Sequence, residues 1–269
     1  MKSSPNKNHL RKIIIFCTEH DFLTVKYQIQ ALDQGYRIVL QTPDTNVFTS
    51  LEALHDDLRV SNDRDFLAES ISSLFSLMGK KRGWYRQQYL KLKTIEGEDA
   101  PYLILDGDTF LRRATIDDIF ESRCNLLVRE KFEHYNNLIS KLLPDLSLLN
   151  YSAVANCILV EPLVVKKYIP DVDEFFRNAM LVLAEHADSV QIDFSEYQII
   201  NTLQNVTSKR TRNLYLFRRA DLLNDKKIDN IRSSRSSRYD GYTIEKNHKS
   251  NVFRQVMASV IYLLGIRKW

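Results

Sequence analysis

Two carboxylates two residues apart, Asp106 and Asp108, directly follow the short apolar run Tyr102–Leu105. In extended chain the side chains of residues i and i+2 point the same way, so both can face one hard cation. Oxygen donors with several retained waters suit Mg2+ or Mn2+, ions that in turn bind phosphate oxygens. Gly107 between them lets a ligand approach the backbone closely. Asp-Gly is equally a strong hairpin-turn dipeptide, and the spacing alone leaves both readings open. Glycine is otherwise scarce, 7 of 269 residues, where about 19 are expected at the usual share of roughly 7%. Neither G-x-x-x-x-G-K-[ST] nor G-x-G-x-x-G occurs. A phosphorylated ligand would therefore rely on metal and basic side chains.

The elements that must position these residues alternate. Lys12–Thr18 reads as a strand buried on both faces. Phe22, Val25, Ile29 and Leu32 recur at helical spacing and Gly35 supplies a stop. Strands follow at Tyr36–Gln41, around Leu58–Val60 and at Tyr102–Leu105, with helices over about Asp65–Met78 and Trp84–Ile95 between them. This alternation predicts βαβ units, a mostly parallel sheet and a ligand beyond the carboxyl ends of its strands. Those ends carry Thr18 to Asp21, Thr42 to Asp44, Ser61 to Asp63 and Asp106 to Asp108. Further on, helices are expected from Thr115, over Pro162–Tyr168 and Val172–Leu183, and from a capping box at Ser195-Glu196-Tyr197-Gln198. Leu126–Val128, Ala153–Val160 and Arg212–Phe217 read as strands.

The segment Gly83-Trp84-Tyr85-Arg86-Gln87-Gln88-Tyr89-Leu90-Lys91-Leu92, followed after a spacer by Tyr102-Leu103-Ile104-Leu105-Asp106-Gly107-Asp108-Thr109-Phe110-Leu111, resembles bacterial GT-A-fold sugar transferases associated with capsule and lipopolysaccharide synthesis. Ile13–Leu32 and Phe194-Ser195-Glu196-Tyr197 resemble them as well. The likeness covers most of residues 12 to 200, and 83–112 is its specific part. It implies a GT-A-like fold: a Rossmann-like mixed sheet flanked by helices. It implies a metal-dependent transferase that takes a sugar from a nucleotide-sugar donor to a glycan or lipid-linked acceptor.

The resemblance also assigns roles. Asp108 would ligate Mn2+ or Mg2+, and Asp106 would serve the metal or the ribose. Thr18, Asp21 and Asp44 become nucleoside contacts, although each is also an ordinary cap or turn residue. Gln87 and Lys91 share a helix face at i, i+4, and Lys91 would meet a phosphate or a sugar hydroxyl. Glu196 would be the general base or orient the acceptor; it could instead only complement the dipole of its helix. Many metal-dependent GT-A enzymes return a C-terminal histidine to the metal and a lysine to the diphosphate, which points to His248 and Lys249. The fuller glycine-containing motif of those enzymes is absent here.

Charge divides the chain. Residues 207–254 hold 13 Lys/Arg against 5 Asp/Glu, a local +8, so the remainder sums to −4 of the total +4. The expected organisation is a catalytic domain over 1–249, with a nucleotide-binding half at about 12–112, an acceptor half at about 113–225 and a basic loop at 226–249. A C-terminal amphipathic helix at 250–269 follows. The loop would be a solvated disordered segment, a donor lid that neutralises diphosphate and excludes water, or a patch for anionic lipid or nucleic acid; the helix, ending Arg267-Lys268-Trp269, would pack on the core or touch a membrane peripherally. Sparse aromatics in the basic segment argue against nucleic acid. Three cysteines without paired spacing fit a reducing cytosol. No 20-residue apolar run occurs, and the expected location is cytoplasmic, at the inner face of the cytoplasmic membrane. Two rivals stand: a HAD-like phosphatase with Asp106 as nucleophile, and a basic membrane-peripheral interaction protein without catalysis. The phosphatase pattern has one more residue before its threonine and opens its fold, whereas here three βα units precede the motif.

Overall fold

Ile13 to Phe16 are all at most 3% exposed, so the first strand can only lie inside a sheet covered on both faces. The computed structural model describes residues 10–32, 34–76, 81–128, 132–186, 192–205, 211–213, 216–219 and 241–244. The chain opens with β1 (Arg11–Phe16), α1 (Phe22–Ala31), β2 (Tyr36–Thr42) and β3 (Leu58–Asn62), then α2 (Glu69–Ser76), α3 (Arg82–Lys93) and β4 (Tyr102–Asp106). It continues with β5 (Thr109–Leu111), α4 (Arg113–Ser122), β6 (Asn125–Leu127), α5 (Glu133–Leu142), β7 (Cys157–Val160), α6 (Pro162–Val165), α7 (Val172–Glu185) and α8 (Glu196–Asn205). Among the described residues three short strands follow: β8 (Thr211–Asn213), β9 (Leu216–Arg219) and β10 (Gly241–Ile244).

The main sheet has the order β3-β2-β1-β4-β7, parallel except for β7, which runs antiparallel to β4. Alternation along β1 sends Ile13 and Ile15 into one core, with Val25 and Ile29 of α1 and Ile116 and Ile119 of α4. Ile14 and Phe16 enter the other, with Tyr89 of α3, Leu138 of α5, Phe176 of α7 and Ile200 of α8. This is the expected α/β architecture, a mostly parallel mixed sheet between helical layers. The chain winds from β1 out to β3 and then crosses to β4 on β1's other side. The winding direction thus reverses between β1 and β4, and a ligand crevice opens at the carboxyl end of such a switch point. Register places Phe16 opposite Asp106 there.

Several expected elements differ in extent. The helix foreseen over 65–78 is split: a 3-10 turn spans Asp63–Phe66, capped by Asn62 Oδ1 accepting from Arg64 N at 2.9 Å, before α2. The strand foreseen from Ala153 begins only at Cys157, because Asn156 takes a left-handed φ of 58°. α4 starts at Arg113, ahead of Thr115, and α5 was not foreseen. Ser195 opens α8 as a capping residue, its Oγ accepting from Gln198 N at 3.4 Å. Half of that box is spent elsewhere, since Gln198 reaches Ala153, Asn136 and Tyr151. The foreseen strand Arg212–Phe217 is two strands, and the segment read as a basic loop contains β10. The helix expected at 250–269 lies outside the described residues. Among the described residues no helix is long and apolar enough to cross a membrane.

Candidate functional site

Asp106 ends β4, and Asp108 precedes β5. The two strands belong to different sheets, since β5 pairs with β10, so Asp106-Gly107-Asp108 links two sheets and is not a hairpin turn. Gly107 N donates to Phe16 O at 2.7 Å, and Asp106 N donates to Asn156 O at 2.9 Å. A Cβ at 107 would lie 2.6 Å from Cys17 Cβ and 2.9 Å from Phe16 O. The backbone that comes close to this glycine is therefore the end of β1.

Behind the motif sits a buried ionic cluster. Lys91 on α3 is 1% exposed; its Nζ lies 2.5 Å from Asp106 Oδ1 and 2.7 Å from Glu196 Oε1. The same ammonium donates to Tyr197 Oη at 3.2 Å and stands 4.3 Å from the centre of that ring. Tyr197 Oη donates to Asp106 Oδ1 at 2.9 Å. Burial by itself would lower the Lys91 pKa, but Asp106 and Glu196 more than offset it and hold the ammonium above its ordinary range. Glu196 is 0% exposed, and burial pushes its carboxyl up to about 7 despite Lys91. Gln88 accepts from Glu196 N at 3.1 Å and so anchors the start of α8 on α3.

Asp108 is half-buried and lacks such a partner. Burial first, then the charges of Asp106 and Asp21, raise its carboxyl to about 7; Thr109 and Lys91 pull the other way. Thr109 Oγ1 donates to Asp108 Oδ1 at 3.1 Å. Asp21 faces this group from the turn after β1, where its Oδ2 accepts from Thr18 N at 2.8 Å and Thr18 Oγ1 at 2.9 Å. Asp108 is thus repelled by both Asp106 and Asp21. Asp106 and Asp108 offer oxygen donors of the kind that suit a hard divalent cation, which would relieve that repulsion; with Asp21 they do not form a group of three carboxylates within 4.8 Å of one another.

The remaining expected residues are spread wider. Asp44 is exposed and closes its own turn, Oδ1 accepting from Asn46 N at 3.1 Å. Gln87 is half-buried on α3. His248 and Lys249 lie outside the described residues. Lys91, read from sequence as a phosphate or sugar contact, has Asp106, Glu196 and Tyr197 around it. Glu196, read as a base or a helix-start carboxylate, faces Lys91. Tyr197, Asn156 and Thr109 complete the site without having been singled out. Tyr197 and Thr109 lie inside the motif segments, whereas nothing in the sequence marked Asn156.

Two other features invite a chemical reading. The Cys17 thiol adjoins Gly107, but burial and then Asp21 and Asp63 raise its pKa well above the usual value, which makes it a poor nucleophile. Glu96, Asp171 and Asp173 bring three carboxylates within 4.8 Å. Lys93 already bridges Glu96 and Asp173 at 2.7 and 2.8 Å, and Asp171 caps α7 through Glu174 N. That group is accounted for as helix capping and ion pairing.

Comparison with known proteins finds several solved structures that align with this chain. The fold aligns with the apo-form glycosyltransferase GlyE of Streptococcus pneumoniae TIGR4 at 11% identity and a TM-score of 0.39, over 76% of this chain and 45% of that one. It aligns with the apo bifunctional glycosyltransferase WbbM at 11% identity and a TM-score of 0.43, over 89% and 46%. The chain spans less than half the length of either. No curated protein matches it. A family model matches residues 3–258, and the chain belongs to that family, a family of unknown function (DUF6492).

Proposed function

We propose that the protein is a metal-dependent glycosyltransferase that moves a sugar from a nucleotide-sugar donor to a glycan or lipid-linked acceptor. The cell-surface polysaccharide setting comes from the motif resemblance at 83–112. The observation that carries the reading is the Asp106-Gly107-Asp108 link at the carboxyl end of β4, beside the β1–β4 switch point, where burial and the charges of Asp106 and Asp21 raise the Asp108 carboxyl.

Asp108 and Asp106 would hold Mn2+ or Mg2+, Asp106 through the oxygen that Lys91 and Tyr197 leave free, and Asp21 would serve as a nucleoside contact. A bound cation would stabilise charge developing on the departing nucleoside diphosphate. Lys91 keeps Asp106 ionised and fixes its orientation, while Glu196 holds Lys91 from the other side. Thr18 and Asp44, which follow the carboxyl ends of β1 and β2, and Gln87 on α3 would be donor contacts. The glycine at 107 lets the two aspartates turn tightly over Cys17.

Thermal unfolding during titration with Mn2+ and a panel of nucleoside diphosphates tests this. The expected outcome is an upward shift that needs both metal and one nucleotide, and that Asp108→Asn abolishes. The absence of any shift with every nucleotide would defeat the reading. Turnover of small phosphomonoesters would favour the phosphatase instead.

A further inference from the structure

We propose that Thr243, in the C-terminal segment, is a positioning residue for Asp108, so that β10 acts as a brace for the acidic site. This rests on the reading of Asp108 as a cation ligand.

β10 pairs antiparallel with β5, setting Thr243 opposite Thr109 across 134 residues of chain. Their hydroxyl oxygens lie 2.9 Å apart, and both residues are at most 1% exposed, so water does not compete for the bond. Thr109 Oγ1 also contacts Asp108 Oδ1 at 3.1 Å and receives Asn156 Nδ2 at 3.4 Å. A hydroxyl has one proton to give and two lone pairs with which to accept. If that proton goes to Asp108, which as a carboxylate only accepts, both other contacts must be donated to Thr109. The direction follows: Thr243 donates to Thr109, and Thr109 donates to Asp108. With its lone pairs filled by Thr243 and Asn156, the Thr109 hydroxyl cannot rotate away without breaking two bonds.

Asn156 supports the same arrangement from below. It holds a left-handed φ of 58°, a conformation that asparagine tolerates better than most residues, and its carbonyl accepts from Asp106 N. Asn156 thus contacts both flanks of the Asp106–Asp108 turn. Outer groups that orient metal ligands commonly change affinity by 10–100-fold when removed.

The test compares Thr243→Val, which keeps the shape and removes the hydroxyl, with Thr243→Ser, which keeps the hydroxyl. Mn2+ affinity is measured by calorimetry on the full chain, with Asp108→Asn as the reference. In parallel the 13C signal of the Asp108 carboxyl is read in the metal-free protein. The expected result is Mn2+ binding about tenfold weaker in Thr243→Val, restored in Thr243→Ser, with the carboxyl signal displaced only in the valine variant. Wild-type affinity in Thr243→Val, with binding lost in Asp108→Asn, would overturn the role of Thr243 and leave the site reading intact. Unchanged affinity in Asp108→Asn would overturn the site reading. The carboxyl signal then decides Thr243 alone: displacement in valine but not serine upholds the link to Asp108, and an unmoved signal refutes it.

Discussion

Asp106 and Asp108 are two residues apart and chemically alike, yet they sit in opposite electrostatic surroundings. Asp106 faces inward, where Lys91 and Tyr197 share one of its oxygens and Glu196 lies on the far side of the ammonium. Asp108 has a single hydroxyl donor and two like charges nearby. The inner half of the site is assembled without any ligand, because a buried lysine already supplies its cation. The outer half carries like charge that a proton or an added cation would relieve. A buried ion pair is weak support for stability, since desolvation consumes most of the Coulomb gain. Its value here is geometric: it fixes one aspartate so that the other has a defined neighbour.

The most damaging break in this contrast is Lys91→Met. It strands Asp106 and Glu196 together in the interior, and losing one partner of a buried ionic cluster costs about 3–5 kcal/mol. Urea unfolding at pH 8 is expected to show that loss, with a smaller loss at pH 5, where Glu196 takes up a proton. Adding Glu196→Gln to the same chain is expected to recover part of it. An unchanged midpoint would mean that the cluster does not hold α3, β4 and α8 together.

Next in size are the pH effects. Asp108 and Glu196 both have carboxyls raised to about 7 in the folded chain, from ordinary values of 3.8 and 4.5. The folded state therefore prefers their protonated forms. The stability they contribute is complete below their unfolded values and is lost as pH rises through about 7. Asp108→Asn and Glu196→Gln are each expected to gain in Tm relative to wild type between pH 5 and pH 8 in metal-free buffer. For Asp108→Asn the gain is expected to vanish when Mn2+ is added to the wild-type comparison. A Tm difference that stays flat across this range would contradict the raised carboxyls.

The smallest expected effect sharpens the inner half alone. Tyr197→Phe removes one donor to Asp106 and one acceptor for Lys91, at a cost of about 1 kcal/mol in urea unfolding. Mn2+ affinity is expected to fall as well if Asp106 is released from its orientation; a stability loss without an affinity change would restrict Tyr197 to packing.

Much of this was legible in the residues themselves. The β-branched run at Ile13–Ile15 and the spacing of Val25 and Ile29 determined a covered parallel strand and the helix beside it, because burial on both faces requires unbroken apolar sequence. Asp106 and Asp108 were visible as a pair, as were Lys91 and Glu196 as separate polar residues on helices. Spacing could not say that Lys91 and Glu196 meet, since 105 positions separate them and only the packing of α3 against α8 closes that distance. Nor could it choose between a hairpin turn and a link between sheets for Asp106-Gly107-Asp108, because a local dipeptide preference does not reveal which strand β5 will pair with. Thr243 lay in a polar, basic stretch that read as loop, and its place beneath Asp108 comes entirely from pairing with β5. Sequence determines which side chains are chemically able to act and which faces must be buried. Tertiary structure decides which charges become neighbours, since a carboxylate's behaviour depends on the groups within a few ångströms of it and not on those beside it in the chain.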